Sequence, residues 1–313
     1  MQGVMRICVV GVGGVGGYFG GKLTDAFQDR PESDTQIYFV ARGDHLSAIK
    51  RNGLVLKTSD DEELKCYPRM ATDDFGALPE VSVFIVAVKG YDLGEVSREL
   101  SHWVKKETVI LPLVNGIDIR ERMQKYITTA IILPACVYFS PFIEGFGIVG
   151  QSGSPGRMII GSDPDTGYSP DDLVKVIHKA SIPCDFRKNA RPAIWEKYIF
   201  IASYGLVSAR FNKTLGEIYE DDPLRNLVRK IMEEILKIAT VQRVSLSEGI
   251  VDASLRKAQL FPRDTRTSLQ RDIHQGKGKS ELDLFGGTIV HQGIHFHIPT
   301  PVTKQIYKEL LQK

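Results

Sequence analysis

The chain lacks any long hydrophobic run. Its longest apolar stretches, such as 81–88 and 109–114, fall far short of the roughly 18 residues that span a bilayer, so no membrane segment is expected. Cysteine is scarce: four residues, at 8, 66, 136 and 184, with no C-x-x-C pair, which argues against a zinc site and against a disulfide framework. The thiols read as reduced and mostly buried. No excess of one charge exists either, since 40 Lys and Arg face 38 Asp and Glu, and a net charge of +2 gives no reason to expect nucleic acid as a partner. Internal repeats and low-complexity tracts are missing. The opening residues show neither the h-region nor the cleavage site of a signal peptide, so a cytoplasmic location is expected.

What the 313 residues do contain is enough chain for two domains and an excess of glycine, 29 residues or roughly 9%, clustered near the N-terminus. The first half alternates short apolar runs with amphipathic spacers. Segments 7–10, 36–41, 83–88, 109–114 and 131–138 are almost continuously hydrophobic, as strands covered on both faces are, and 156–161 reads as one more short strand. Segments 18–28, 44–52 and 91–103 have helical spacing, which makes a βαβ pattern and hence a largely parallel sheet. After about residue 190 the spacing is helical, over 192–209, 224–244, 249–259 and 301–311, with Pro223 and Pro301 suited to helix N-termini. The reading is an α/β protein: a domain built on a largely parallel sheet at 1–188 and an all-helical domain at 189–313.

Gly11-Val12-Gly13-Gly14-Val15-Gly16 fits G-x-G-x-x-G, directly follows the strand at 7–10 and opens a helix. In that context the first glycine permits a tight turn, the second lets backbone approach a pyrophosphate, and the third lets helix and strand pack closely, with helix N-terminal amides facing the phosphate charge. The second strand ends in Arg42, with no acid before Asp44. An arginine there suits the 2′-phosphate of NADP better than the ribose of NAD, although it also reads as a solvated loop residue. Lys89, at the end of the strand at 83–88, points to the same sheet edge and reads either as a phosphate contact or as a surface lysine.

Reduction of a ketone needs a proton donor to its oxygen, and Trp195-Glu-Lys197 offers one. Lys197 precedes the almost uncharged run 198–209, and desolvation at the polar end of that helix is expected to make its ammonium a better acid near neutral pH. The alternative is a lysine snorkelling at a helix edge.

Gly11-x-Gly13-Gly14-Val15-Gly16, Val88-Lys89, Val114-Asn115-Gly116, Trp195-x-Lys197, Thr267-Ser268-x-x-x-Asp272 and Lys279-x-Glu281-Leu-Asp283 stand in an order and spacing that resembles the ketopantoate reductase (2-dehydropantoate 2-reductase) family. The resemblance spans nearly the whole chain. It implies a Rossmann-type, doubly wound N-terminal domain, a helical domain of the 6-phosphogluconate dehydrogenase kind and an active site in the cleft between them. It further implies NADPH-dependent reduction of 2-dehydropantoate to pantoate, in pantothenate and coenzyme A biosynthesis.

By that resemblance Lys197 donates the proton, Glu281 contacts the cofactor or orients Lys197, Ser268 binds the substrate carboxylate, and Asn115 lies between nicotinamide and substrate. Gly116 would touch the cofactor. Read without the family, Ser280 with Asp283 is a plain helix N-cap and Glu281 a first-turn charge.

The chain departs from the family where asparagines hold the substrate. Ile201, Gly205 and Leu215 stand at those positions, which makes the wall more apolar and less crowded, while Tyr204 and Ser208 fall near the Lys197 face and offer other polar contacts. His291, His295 and His297 suggest a metal site at first sight. With Gly293 among them and no carboxylate or cysteine to complete the set, the segment reads as a turn into the helix near Pro301, and no metal is expected. Asp60-Asp61 reads as a solvated hairpin turn.

The expected ligand is a small 2-oxo acid, the expected state a monomer or homodimer. Two other functions compete: a reductase of the same fold for a more apolar 2-oxo or 3-oxo acid, and a non-catalytic NADP sensor. The set Lys197, Ser268 and Glu281 argues against the sensor, which has no need of an acid poised over a ketone.

Overall fold

The continuously apolar runs of the first half become the strands of one parallel sheet. The computed structural model describes residues 3–30, 34–59, 62–274 and 278–312. The chain packs as two units, Met1–Val114 with Ile119–Ala190, and Asn115–Asp118 with Arg191–Lys313.

The first unit runs β1 (Met5–Val10), α1 (Gly14–Phe27), β2 (Thr35–Val40), α2 (Gly43–Asn52), β3 (Leu54–Lys57), β4 (Glu63–Cys66), β5 (Met70–Thr72), β6 (Val83–Val86), α3 (Leu93–Leu100), β7 (Val109–Pro112), α4 (Ile119–Gln124), β8 (Ile131–Ile132), β9 (Ala135–Gly145), β10 (Ile148–Gly161), α5 (Asp171–Lys179) and β11 (Cys184–Arg187). Strands β5-β2-β1-β6-β7-β8 lie side by side, every pair parallel. Ile7, Val9, Phe39, Ile85 and Leu111 are wholly buried, which explains why these segments read as unbroken apolar runs rather than as alternating ones. The strand order turns between β1 and β6, and the loops after those two strands therefore flank the switch point where such sheets bind ligands.

A second sheet was not expected. Its order is β11-β10-β3-β4, with β9 antiparallel to β10. The segment 131–138, read as one strand, is split at Leu133-Pro134: β8 closes the first sheet and β9 joins the second. Proline has no N–H to give a ladder, so the break falls there. Strands β3 and β4 pair antiparallel with Lys57 opposite Glu63. The turn expected at Asp60-Asp61 lies outside the described residues. All four cysteines are free thiols, Cys8, Cys66 and Cys136 buried and Cys184 half-buried.

The second unit is helical: α6 (Arg191–Phe211), α7 (Leu215–Glu220), α8 (Asp222–Val241), α9 (Ile250–Arg256), α10 (Ser268–His274), α11 (Thr288–His295) and α12 (Pro301–Leu311), the last but one preceded by a π-helical turn at Asp283–Gly287. Helix α6 is buried almost all round, through Trp195, Tyr198, Ile199, Ala202, Leu206 and Val207, so it forms the axis of the unit. Caps set the boundaries. Asp221 accepts from the Leu224 N–H at 2.9 Å ahead of α8, and the buried Glu234 receives the Val302 and Thr303 N–H groups at 2.8 and 3.0 Å, fixing the start of α12.

The histidine segment is a correction: His291 and His295 sit in α11, not in a turn. Gly293 serves there to admit the chain that follows, since a Cβ would stand 2.8 Å from the Ile298 carbonyl oxygen. No helix among the described residues is long and apolar enough to cross a membrane.

Candidate active site

In the first unit the glycine loop has the geometry its sequence requires. Gly11 has φ +87°, and a Cβ there would lie 2.7 Å from Val88 Cγ1 at the end of the neighbouring strand. On Gly16 a Cβ would collide with the Gly11 carbonyl oxygen, so only glycine lets α1 start this close to β1. Gly13 faces more open space, the nearest atom to its Cβ position being Ile143 Cδ1 at 3.9 Å. Gly14 begins α1 with no side-chain cap on its first N–H groups, Val12 anchors the loop in the core, and Val15 is half-buried. These residues fit a dinucleotide pyrophosphate: helix-terminal N–H groups without a side-chain cap, and glycines that let backbone come close.

Arg42 lies two residues past β2 and is the N-cap of α2, its side chain exposed. In space it does meet an acid. Glu95, from α3, lies 3.4 Å from its guanidinium, both side chains 63% exposed. Sequence reading missed Glu95 because the pairing joins residues far apart along the chain. Lys89 is half-buried and opens a short 3-10 turn after β6. His45, three residues beyond Arg42, was also missed; its Nδ1 accepts the Gly147 N–H at 3.0 Å.

In the second unit Lys197 stands in the second turn of α6, half-buried, and its Nζ donates to Asn115 Oδ1 at 2.6 Å. Asn115 reaches it because residues 115–118, which follow β7, pack with the helical unit, a grouping that a single boundary near residue 188 leaves out. Gly116 has φ +147°, a backbone that side chains rarely adopt. At the next residue the Tyr198 hydroxyl donates to the Leu284 and Phe285 carbonyls at 2.7 and 2.9 Å, which ties α6 to the segment that begins at Glu281. Glu281 itself is 5% exposed. Ser280 Oγ accepts the Leu282 N–H at a long 3.4 Å, so the helix-initiation reading of this segment also has a geometric basis. Ser268 opens α10, half-buried, and its hydroxyl has no partner among the described residues.

Two proposed substrate contacts are occupied elsewhere. Tyr204 is fully buried and its hydroxyl donates to the Leu255 carbonyl at 2.9 Å; burial, with Tyr219 nearby, pushes its pKa up. Ser208, also fully buried, shares a 2.6 Å hydrogen bond with Thr267 Oγ1 and contacts the Gly205 carbonyl at 3.0 Å. Ser208 thereby holds the start of α10, and with it Ser268, against α6. The wall is apolar but not open at Gly205, whose Cβ position is 3.7 Å from Phe285 and 3.8 Å from Leu269. Leu215 is 3% exposed and its N–H bonds Thr265, so it belongs to the core; Ile201, half-buried, is the departure that shares the Lys197 face.

Two family models match the chain. One, described as ketopantoate reductase PanE/ApbA, covers residues 7–165, and its C-terminal companion covers 189–313. A 2-dehydropantoate 2-reductase of Streptococcus pyogenes serotype M6 is 25% identical over 307 residues, 96% of this chain and 95% of the relative. Among solved structures, a PanE/ApbA family ketopantoate reductase from Ralstonia eutropha JMP134 superposes with TM-score 0.88 at 25% identity, covering 98% of each chain. A D-mandelate dehydrogenase solved with NADH and anilino(oxo)acetate shares the fold at TM-score 0.86 and 19% identity, again over 98% of both chains.

Proposed function

The chain belongs to the ketopantoate reductase family, and from that premise we propose that it is an NADPH-dependent reductase converting a 2-oxo acid to a 2-hydroxy acid, with 2-dehydropantoate the leading substrate. The observation that carries this reading is the 2.6 Å contact between Lys197 and Asn115, which holds an ammonium group in a half-buried setting.

NADPH, when bound, supplies the hydride that reaches the carbonyl carbon. The residues suited to hold it are the loop Gly11–Gly16, Arg42 for the 2′-phosphate, and Lys89, Asn115, Gly116 and Glu281. Lys197 gives a proton from Nζ to the carbonyl oxygen as that oxygen becomes a hydroxyl, and regains one from solvent. Asn115 Oδ1, by accepting from Nζ, fixes the direction of the ammonium and leaves the amide NH2 to donate. The Ser268 hydroxyl donates to the substrate carboxylate.

A second reading, a more apolar 2-oxo acid, is favoured by Ile201 on the Lys197 face and by Phe285 and Leu269 filling the space beside Gly205. The fold, shared with a mandelate dehydrogenase, is compatible with either substrate and with either dinucleotide. NADPH consumption on adding 2-dehydropantoate, against a branched apolar 2-oxo acid of similar size, tests both readings.

A further inference from the structure

His45 stands at the crossing of three segments of the first unit. Its Nδ1 accepts the N–H of Gly147, the residue with φ +74° in the turn between β9 and β10. That turn is seated closely on α2: a Cβ on Gly147 would lie 3.0 Å from the Ala48 Cβ, and the Gly147 carbonyl takes the Val55 N–H at 2.8 Å. The β9 strand that enters the turn covers the glycine loop. Pro141 lies 3.2 Å from the Cβ position of Gly14, and Ile143 reaches that of Gly13. A hairpin thus roofs the loop, and its far end is pinned through His45.

The other ring nitrogen supplies the second observation. With Nδ1 accepting, the neutral ring carries its hydrogen on Nε2. That nitrogen is buried with no hydrogen-bond partner among the described residues. The ring also feels the backbone of Val12, inside the glycine loop. Burial lowers the pKa of His45, and the Val12 backbone offsets this only in part, so the ring is neutral at pH 7 and Nδ1 is free to accept.

We propose that His45 is a positioning residue for the dinucleotide, a clasp that bridges the Gly147 N–H and the Val12 carbonyl and so holds the phosphate loop at a fixed spacing beneath the β9–β10 hairpin. Its Nε2–H completes the bond to Val12 when the loaded loop settles. The inference rests on the proposed dinucleotide binding at Gly11–Gly16 and concerns affinity, not the chemical step.

The test compares the full chain with H45A, H45F and H45N. Equilibrium NADPH binding is followed by fluorescence, amide hydrogen exchange is followed over 145–148 without dinucleotide and over 11–16 with NADPH bound, and KM and kcat are measured alongside. Phenylalanine keeps the bulk without the hydrogen bonds; asparagine restores an acceptor near the Nδ1 position. H45A and H45F should weaken NADPH binding about tenfold, the effect of one lost hydrogen bond, raise KM in step and leave kcat unchanged. Exchange should quicken over 145–148 without dinucleotide and over 11–16 with NADPH bound, and H45N should recover the part of the loss that the Gly147 bond carries. An H45F variant that binds as tightly as the parent would reduce His45 to packing, and an H45N no better than H45A would remove the Gly147 bond from the account; either overturns the clasp. A parent protein that binds neither NADPH nor NADH overturns the clasp together with the function beneath it.

Discussion

The Lys197 ammonium donates to Asn115 Oδ1 at 2.6 Å, and in the proposed reaction this bond aims it as the proton donor. Lys197→Ala should lower kcat by a factor on the order of 100 or more, the usual contribution of a placed proton donor, while NADPH affinity stays as in the parent. Single-turnover rates with the dinucleotide bound check this. Normal turnover in the variant would move the donor to Glu281 or to water. If Arg42 holds the 2′-phosphate as proposed, NADPH should bind at least about tenfold tighter than NADH, and Arg42→Ala should close most of that gap; titration with both dinucleotides reads it directly. The partly competing Glu95, an exposed partner, offers little resistance. Residue types and spacing made Lys197, Arg42 and the glycines legible in the sequence. They did not reveal Glu95 or His45, whose significance comes from contacts with distant strands and helices.

Helical spacing places a side chain on a face, yet it does not say which neighbour claims its polar atom first. Tyr204 illustrates the difference. Seven residues after Lys197 it shares the expected face, but α9 passes close enough for the Leu255 carbonyl to take its hydroxyl. Tyr204→Phe should therefore cost about 1 kcal/mol of stability by removing a tie between α6 and α9, and leave kcat and KM unchanged. Thermal unfolding and steady-state kinetics separate the outcomes, since a large drop in kcat would return Tyr204 to the substrate. The parallel sheet was legible for the opposite reason. Strands buried on both faces, such as β1 and β7, are marked by composition alone, whereas β3, β4 and β11 are short and half-exposed, and β10 pairs with β3 across nearly a hundred residues of intervening chain. No local pattern encodes that pairing.

For the molecule as a whole, stability at acid pH should follow Asp163. Burial pushes its carboxyl up, but the Thr166 hydroxyl and N–H together with Arg120 pull it below the ordinary aspartate range. A carboxyl held low in the folded state stabilises it above the unfolded value of about 4 and loses that contribution as pH falls through the folded one. Asp163→Asn should accordingly lower Tm at pH 7, and the difference from the parent should shrink toward pH 3; an unchanged gap would mean that the charge is irrelevant. The proposed reductase activity is read by NADPH consumption with 2-dehydropantoate and with a branched apolar 2-oxo acid of similar size. NADPH should be oxidised with both, at catalytic efficiencies within about a hundredfold of each other, because Ile201 and the Phe285–Leu269 filling leave few polar groups to discriminate. Absence of NADPH oxidation with either acid would contradict it.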